Sequence, residues 1–555
     1  MKHGSIIAFI FVIIVIFHSP AVALESTAAL ESKALQAWMA RLSATDAKGQ
    51  NLYSAVARFY QQVGYHPVWT GPDGLLPDGE MLLQTITQAS TAGCDLENYL
   101  LPGPSNAWID YTQASDPGFP KAMASYLRSD VMLTEKILRY AYHVYQGSVM
   151  PEQIYQSWLA PKRPTSRDIP VALAQSVRDD CLSAFIESLH PRSEAYKRLR
   201  NALLQYEIIR RSGGWFPIDK GPTLRIGDKG PRVAMLKYRL KLTADGFEDA
   251  PIENDRFDEN LASAVKHFQH RHGLEEDSLV GKETLAELNV PVEKRIDQLQ
   301  LSMERWRWYP DSLGDRFLMV NIPAFTLTVV ESGSRVDRIP VIVGKKNRQT
   351  PIMSDQMTYI EFNPYWNIPQ KIARKDILPK IKHDPAYLIN QGIRVFDSWD
   401  QHAQALDPTG IDWNSVSADY FPYRLRQDPS RLNALGQIKF MFPNPKSIYI
   451  HDTPGKSLFS RQQRTFSSGC VRIETPFTLA FELLNDQGWN LDRLKTVTGR
   501  EKPVSVVLKE PIPVHLVYFT AWVDEDQTVN FRKDIYGHDA RLLQALHHPE
   551  PAHRL

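Results

Sequence analysis

"YIHDTPGKSLFSRQQRTFSSGCVRIETP", residues 449–476, carries a histidine, a loop, and then a cysteine set between Ser-Ser-Gly and Val-Arg. The alternation through Tyr449, Ile450 and His451 reads as the end of a strand, with Tyr449 and His451 on one face. Downstream, Thr475 suits a helix N-cap and Pro476 the first helical position, and Phe477, Phe481 and Leu484 follow on one face. The intervening loop can therefore return Cys470 to His451. A thiol of ordinary pKa, about 8.5, is only a few per cent thiolate at pH 7, and a neighbouring imidazole raises that fraction. Gly469 permits a tight turn beside the nucleophile. Ser468 and Gly469 build that turn, and the backbone N–H groups of Gly469 and Cys470 are candidates for an oxyanion hole. Arg472 can pair with a substrate carboxylate. Together these are the parts of an acyl-transfer site. The alternative is a small buried cysteine and a structural histidine in a strand-rich domain.

The compartment decides what a cysteine is for. Lys2 and His3 precede an apolar run from Ile6 to Phe17, and "HSPAVA" follows, ending at Ala23. That is the pattern of a cleaved export signal over residues 1–23. The run is shorter than the roughly 20 residues a spanning helix needs. Left uncleaved, it would be an N-terminal anchor with the remainder outside the cytoplasm. Export to the periplasm is the expectation. In that compartment three cysteines, Cys94, Cys181 and Cys470, leave one over. Cys94 and Cys181 are either a bridge or two buried thiols, and Cys470 stands alone on either reading.

The formal net charge of +1, from 64 basic and 63 acidic residues, gives no footprint for nucleic acid. No Cys/His cluster has metal-ligand spacing, and no cofactor is expected. A chain of 555 residues is too long for one ordinary domain. Residues 24–220 read as a helical scaffold, with Met132, Ile137, Tyr140, Ala141 and Val144 at helical spacing. Residues 221–292 read as a three-helix module, and "RIDQLQLSMERWRW" as a linking helix with Ile296, Leu299, Met303 and Trp306 in the core. After Pro310 the period changes to two, so residues 293–540 form a mostly-β domain. Its strands include "MTYIEFNPYW", "QIKFMF", "SIYIHDT", "VSVVLK" and "VHLVYFTAWVD". Residues 370–435 read as an inserted cap of mixed helix and loop, and residues 541–555 as a tail. The fold class is multidomain α+β.

The module resembles the peptidoglycan-binding domain type 1 family at Leu224, Gly227, Gly230, Val233, Leu236, Leu240, Gly246, Phe257, Phe268-Gln269, Gly273-Leu274 and Val280-Gly281. "IHDTPGKSLFSRQQRTFSSGCVRI" resembles the active-site motif of the L,D-transpeptidases (YkuD-type catalytic domain): a His, a spacer, then Ser-x-Gly-Cys-x-Arg. Ser468 stands where the commoner form has a second His. The large periplasmic YcbB-type members share this order of parts. The resemblance implies peptidoglycan as partner, through its stem peptides and glycan wall, and other cell-wall synthesis enzymes beside it. It implies Cys470 as nucleophile, His451 as base, and a backbone carbonyl at Asp452 or a neighbour as orienter. Ser467, Arg472 and Tyr449 fall on the substrate side, though Tyr449 reads equally well as core packing. Cys470 would attack the diaminopimelate carbonyl of a tetrapeptide stem, release D-alanine, and pass the acyl group to a second diaminopimelate. Carbapenem-type β-lactams would acylate the same thiol. Water as acceptor would make an L,D-carboxypeptidase. Loss of chemistry would leave a wall-binding protein, against which the intact His451 and Cys470 argue.

Overall fold

The protein is described by a computed structural model covering residues 26–44, 52–87, 93, 121–155, 158–245, 255–400 and 402–547. The export signal and Cys94 lie outside these residues, so the bridge is not described. Cys181 is an exposed free thiol, which corrects the expectation of a buried one. Among the described residues no helix is long and apolar enough to cross a membrane.

The N-terminal part is helical, as its periodicity predicts. Helices Thr27–Ala44, Leu52–Gln62, Lys121–Gln146 and Ile169–Arg178 pack around Phe59, Ile137, Leu138, Ala141, Val144 and Leu173. One carboxylate sits in that core: Asp130 accepts from the backbone N–H groups of Val68, Trp69 and Thr70 and from the Tyr60 hydroxyl. Such a set of donors is what makes so deep a burial of a carboxylate tolerable. The small module has helices Pro231–Leu242, Glu259–Arg271 and Lys282–Leu288 around Val233, Leu236, Leu240, Phe257, Leu261 and Phe268. Asp258 caps the second of these through Leu261 N at 2.9 Å.

Helix Val292–Trp308 joins these parts to the β domain. Its apolar face is core, as the sequence predicts, but it also buries Glu304, Arg305 and Arg307. Each is answered. Glu304 accepts from Arg307 at 2.7 Å and from Val149 N at 2.9 Å, and Arg305 reaches Asp539 at 2.7 Å.

We number the strands of the main sheet β1 Arg316–Asn321, β2 Thr326–Glu331, β3 Ser334–Gly344, β4 Met353–Phe362, β5 Ile438–Met441, β6 Ile450–His451, β7 Thr465–Ser467, β8 Val471–Ile473 and β9 Val504–Val517. Their order is β7-β3-β8-β6-β5-β4-β9-β1-β2, and β2 pairs back onto β3, closing the sheet on itself around one apolar core. The β2–β3 turn uses Ser332 and Gly333, both at positive φ, as a tight hairpin requires. "VSVVLK" and the start of "VHLVYFTAWVD", expected as two strands, form the single long β9, with a register shift between Val507 and Ile512, while Ala521–Val523 pairs separately with Val529–Phe531. The insertion is more ordered than the sequence suggests. Besides short helices it has three strands, including Ile393–Phe396 and Arg424–Gln427, that form a four-stranded sheet with Trp366–Asn367, and its own core of Ile377, Leu378, Ile381, Leu388, Val395 and Leu425. The expected tail also needs correction. Residues 541–547 complete helix His538–His547, which buries Leu542 in the main core.

Candidate active site

Alternation along β4, β5, β6 and β8 sends Ile360, Phe440, Ile450 and Val471 into the core, all fully buried. Their neighbours in sequence therefore point to the other face. The register aligns Glu361 with Lys439, Lys439 with His451, and His451 with Arg472. A polar row thus crosses four strands on one face. One step along, Tyr449 and Cys470 lie on that same face. The structure brings together the histidine, tyrosine, cysteine and arginine singled out in the sequence, and adds Lys439 and Glu361.

His451 is 5 % exposed, and its Nδ1 donates to the Asp452 carbonyl at 2.5 Å. A carbonyl only accepts, so Nδ1 carries the proton and Nε2 the lone pair. Burial, then the nearby Arg472 charge, hold the imidazole pKa down to about 3. The residue is a neutral base at any ordinary pH.

Cys470 is half-buried, with its thiol directed at the Ser447 carbonyl at 3.8 Å. Burial pushes its pKa up. Opposing that, the neighbouring Tyr449 backbone and hydroxyl, then the Lys439 and Arg472 charges, favour the thiolate. Tyr449 lies beside both the thiol and His451, its ring 5.5 Å from the imidazole. The Trp366 side chain, at the entrance to the insertion, lies close to the Tyr449 hydroxyl and favours its ionised form, against the burial that pushes its pKa up. This favours the pocket reading of Tyr449 over plain core packing.

The Ser-Ser-Gly turn is tied down on both sides. Gly469 has φ +124°, a region that side chains resist. Its N–H donates to Ser467 Oγ at 3.1 Å, and Ser467 Oγ donates to the Cys470 carbonyl at 2.6 Å. The Gly469 amide, expected as an oxyanion donor, is thus engaged within the turn, and buried Ser467 braces the turn where the sequence had placed it on the substrate side. Thr350 Oγ1 donates to the Gly469 carbonyl at 2.8 Å and accepts from Gly344 N at 2.9 Å.

Ser468 is exposed and accepts from Arg348 Nη1 at 2.9 Å. The other arm of Arg348 donates to Asp376 Oδ1 at 2.9 Å. Asp376 lies in the π-helical turn Ala373–Ile377 of the insertion. One arginine therefore ties the nucleophile turn to the insertion, a link invisible in the sequence because its three members are far apart in it. We expect Arg348→Ala to speed amide exchange across residues 373–383 by about two- to fivefold, the worth of a partly exposed pair, while β6 and β8 are unaffected. Unchanged exchange would make the link idle.

Residues 315–503 match the L,D-transpeptidase catalytic domain family. The chain contains an L,D-transpeptidase catalytic domain. Residues 54–203 match the family described as "Scaffold domain", and residues 229–288 match the one described as "Putative peptidoglycan binding domain". A Haemophilus influenzae protein named "Putative L,D-transpeptidase" is 39% identical over 251 residues, which are 45% of this chain and 50% of that protein. The chain thus spans about half the length of this curated relative. Among solved structures, an L,D-transpeptidase from Stackebrandtia nassauensis aligns at 16% identity and a TM-score of 0.21 over 54% of this chain and 96% of that one. One from Mycobacterium smegmatis aligns at 14% and 0.18 over 37% and 58%. The L,D-transpeptidase catalytic domain match spans the sheet from β1 to the residue before β9, and so contains every site residue described above.

Proposed function

We propose that the protein is a peptidoglycan L,D-transpeptidase that joins two diaminopimelate residues through a thioester on Cys470. The observation that carries this is the shared sheet face bearing a neutral, carbonyl-anchored His451 and a half-buried Cys470 within an L,D-transpeptidase catalytic domain. Cys470 Sγ attacks the diaminopimelate carbonyl, and its proton passes to His451 Nε2. The C–N bond to D-alanine breaks, the departing amine takes that proton, and the thioester remains. The side-chain amine of a second stem then attacks the thioester and yields a proton to His451. The C–S bond breaks and the sulfur recovers the proton. The Tyr449 hydroxyl and backbone steady the sulfur while it is charged. Export to the periplasm and wall anchoring by residues 229–288 fit this reading.

The test is product analysis with purified tetrapeptide muropeptides. Cross-linked dimers with release of D-alanine are expected. Free tripeptide alone would make water the acceptor and the enzyme an L,D-carboxypeptidase. No released D-alanine from folded protein would remove both.

A further inference from the structure

The proposed reaction leaves Lys439 unused, although it lies at the centre of the polar row. Its ammonium is 3.7 Å from Glu361 Oε2, beyond hydrogen-bond distance, and 4.4 Å from the Tyr449 ring centroid. Among the described residues its three N–H donors meet only that ion pair and that aromatic face. On the far side of His451, Arg472 is half-buried, and its Nε is buried with no hydrogen-bond partner among the described residues. A covered guanidinium N–H without an acceptor favours the arrival of a counter-charge. The row holds two cations and one carboxylate, and both cations act electrostatically on the Cys470 sulfur. The face is therefore short of one anion beside the nucleophile.

We propose that Lys439 and Arg472 form a carboxylate-binding site that takes a free carboxylate of the peptide within one residue of the attacked carbonyl. This rests on the transpeptidase reading of the same site. Two groups have that chemistry: the C-terminal carboxylate of the departing D-amino acid, and the side-chain carboxylate of the residue before it. Arg472 offers a planar fork suited to either, and Lys439 a second, point-like charge. Docking there does more than hold the peptide. Arg472 and Lys439 are the two charges that help keep His451 from accepting a proton. An anion between them cancels part of that effect, so the base strengthens when a correctly charged peptide is in place.

The experiment measures thioester formation by mass spectrometry on the full chain. It uses three tetrapeptides: the free acid, the C-terminal amide and the side-chain amide. We expect one amidation to slow acylation by roughly 10–100-fold, the worth of one or two charge-assisted hydrogen bonds. Which amide is slow identifies the carboxylate. Lys439→Met should erase that preference, and Lys439→Arg should keep most of it. Equal acylation of all three peptides by the unaltered protein overturns the proposal without touching the transpeptidase reading. So does a preference that survives in Lys439→Met. No thioester with any peptide would instead remove the transpeptidase reading itself.

Discussion

Cys470→Ala should abolish both turnover and covalent labelling. A carbapenem-type β-lactam incubated with the unaltered chain should leave one adduct, on the peptide holding "TFSSGCVR", and none on the variant. The adduct is a thioester, so hydroxylamine should release it. Cys181 is the other described free thiol and is exposed, which makes it the internal control. It lacks the tyrosine hydroxyl and the two cations that ease ionisation of Cys470 and should stay unmodified. His451→Ala should slow acylation by about 10²–10⁴, the usual contribution of a general base. The pH profile makes the same point without a variant. His451 is held down to about 3 and Cys470 is pushed up, so the resting pair is neutral thiol and neutral imidazole. No group of the pair titrates through pH 6–7, and kcat/KM for acylation should be flat there, where an unperturbed histidine would give a fall toward acid. A step near 6.5, or an adduct on any serine, would overturn the assignment.

The contiguous part of this site was legible because chemistry and chain order coincide in it. Ser467 to Arg472 are consecutive in the chain, running from the end of β7 through a turn into β8, and period-two alternation already put Tyr449 beside His451. Lys439, Glu361 and Trp366 were not legible. Lys439 and Glu361 come from different strands and reach the site only through register, which single-strand periodicity does not encode, and Trp366 comes from a strand paired with the insertion. A signal did exist at Lys439: in "QIKFMF" it is the one charge on an otherwise apolar strand, on the face opposite Ile438 and Phe440. The division of β9 into two expected strands has a plain cause. Pro511 and Pro513 lack N–H groups and read as breaks, yet the sheet passes them with a register shift. In the insertion, strands of four residues such as "RLRQ" are too short and too charged to alternate visibly, so its sheet was missed.

Gly436→Ala is expected to damage the base rather than the nucleophile. Gly436 has φ +63°, and a Cβ there would lie 2.2 Å from Asp452 Oδ2 and 2.5 Å from Asp452 Cβ. Asp452 has little room to yield. Its Oδ2 accepts from Gln437 N at 2.9 Å, its Oδ1 meets Lys456 Nζ at 2.8 Å, and its own N–H donates to Ile438 O at 2.9 Å. Left-handed backbone at alanine costs about 1–2 kcal/mol, and overpacking a filled site about 1–3 more. Unfolding of the catalytic domain should therefore move down by roughly 5–15 °C. The displaced residue is the one whose carbonyl holds His451 Nδ1, so the imidazole loses its anchor and its tautomer. Acylation should fall by about 10–100-fold at a temperature where the variant is folded, as small misplacements of catalytic groups do. Gly488→Ala separates the two causes. Its φ is +73° but nothing lies within 4 Å of the added Cβ, so it carries the backbone strain without the clash. It should lose about 1–2 kcal/mol of stability and keep its acylation rate. Equal stability losses in both variants, or full acylation by Gly436→Ala, would mean that Asp452 does not hold the base in place.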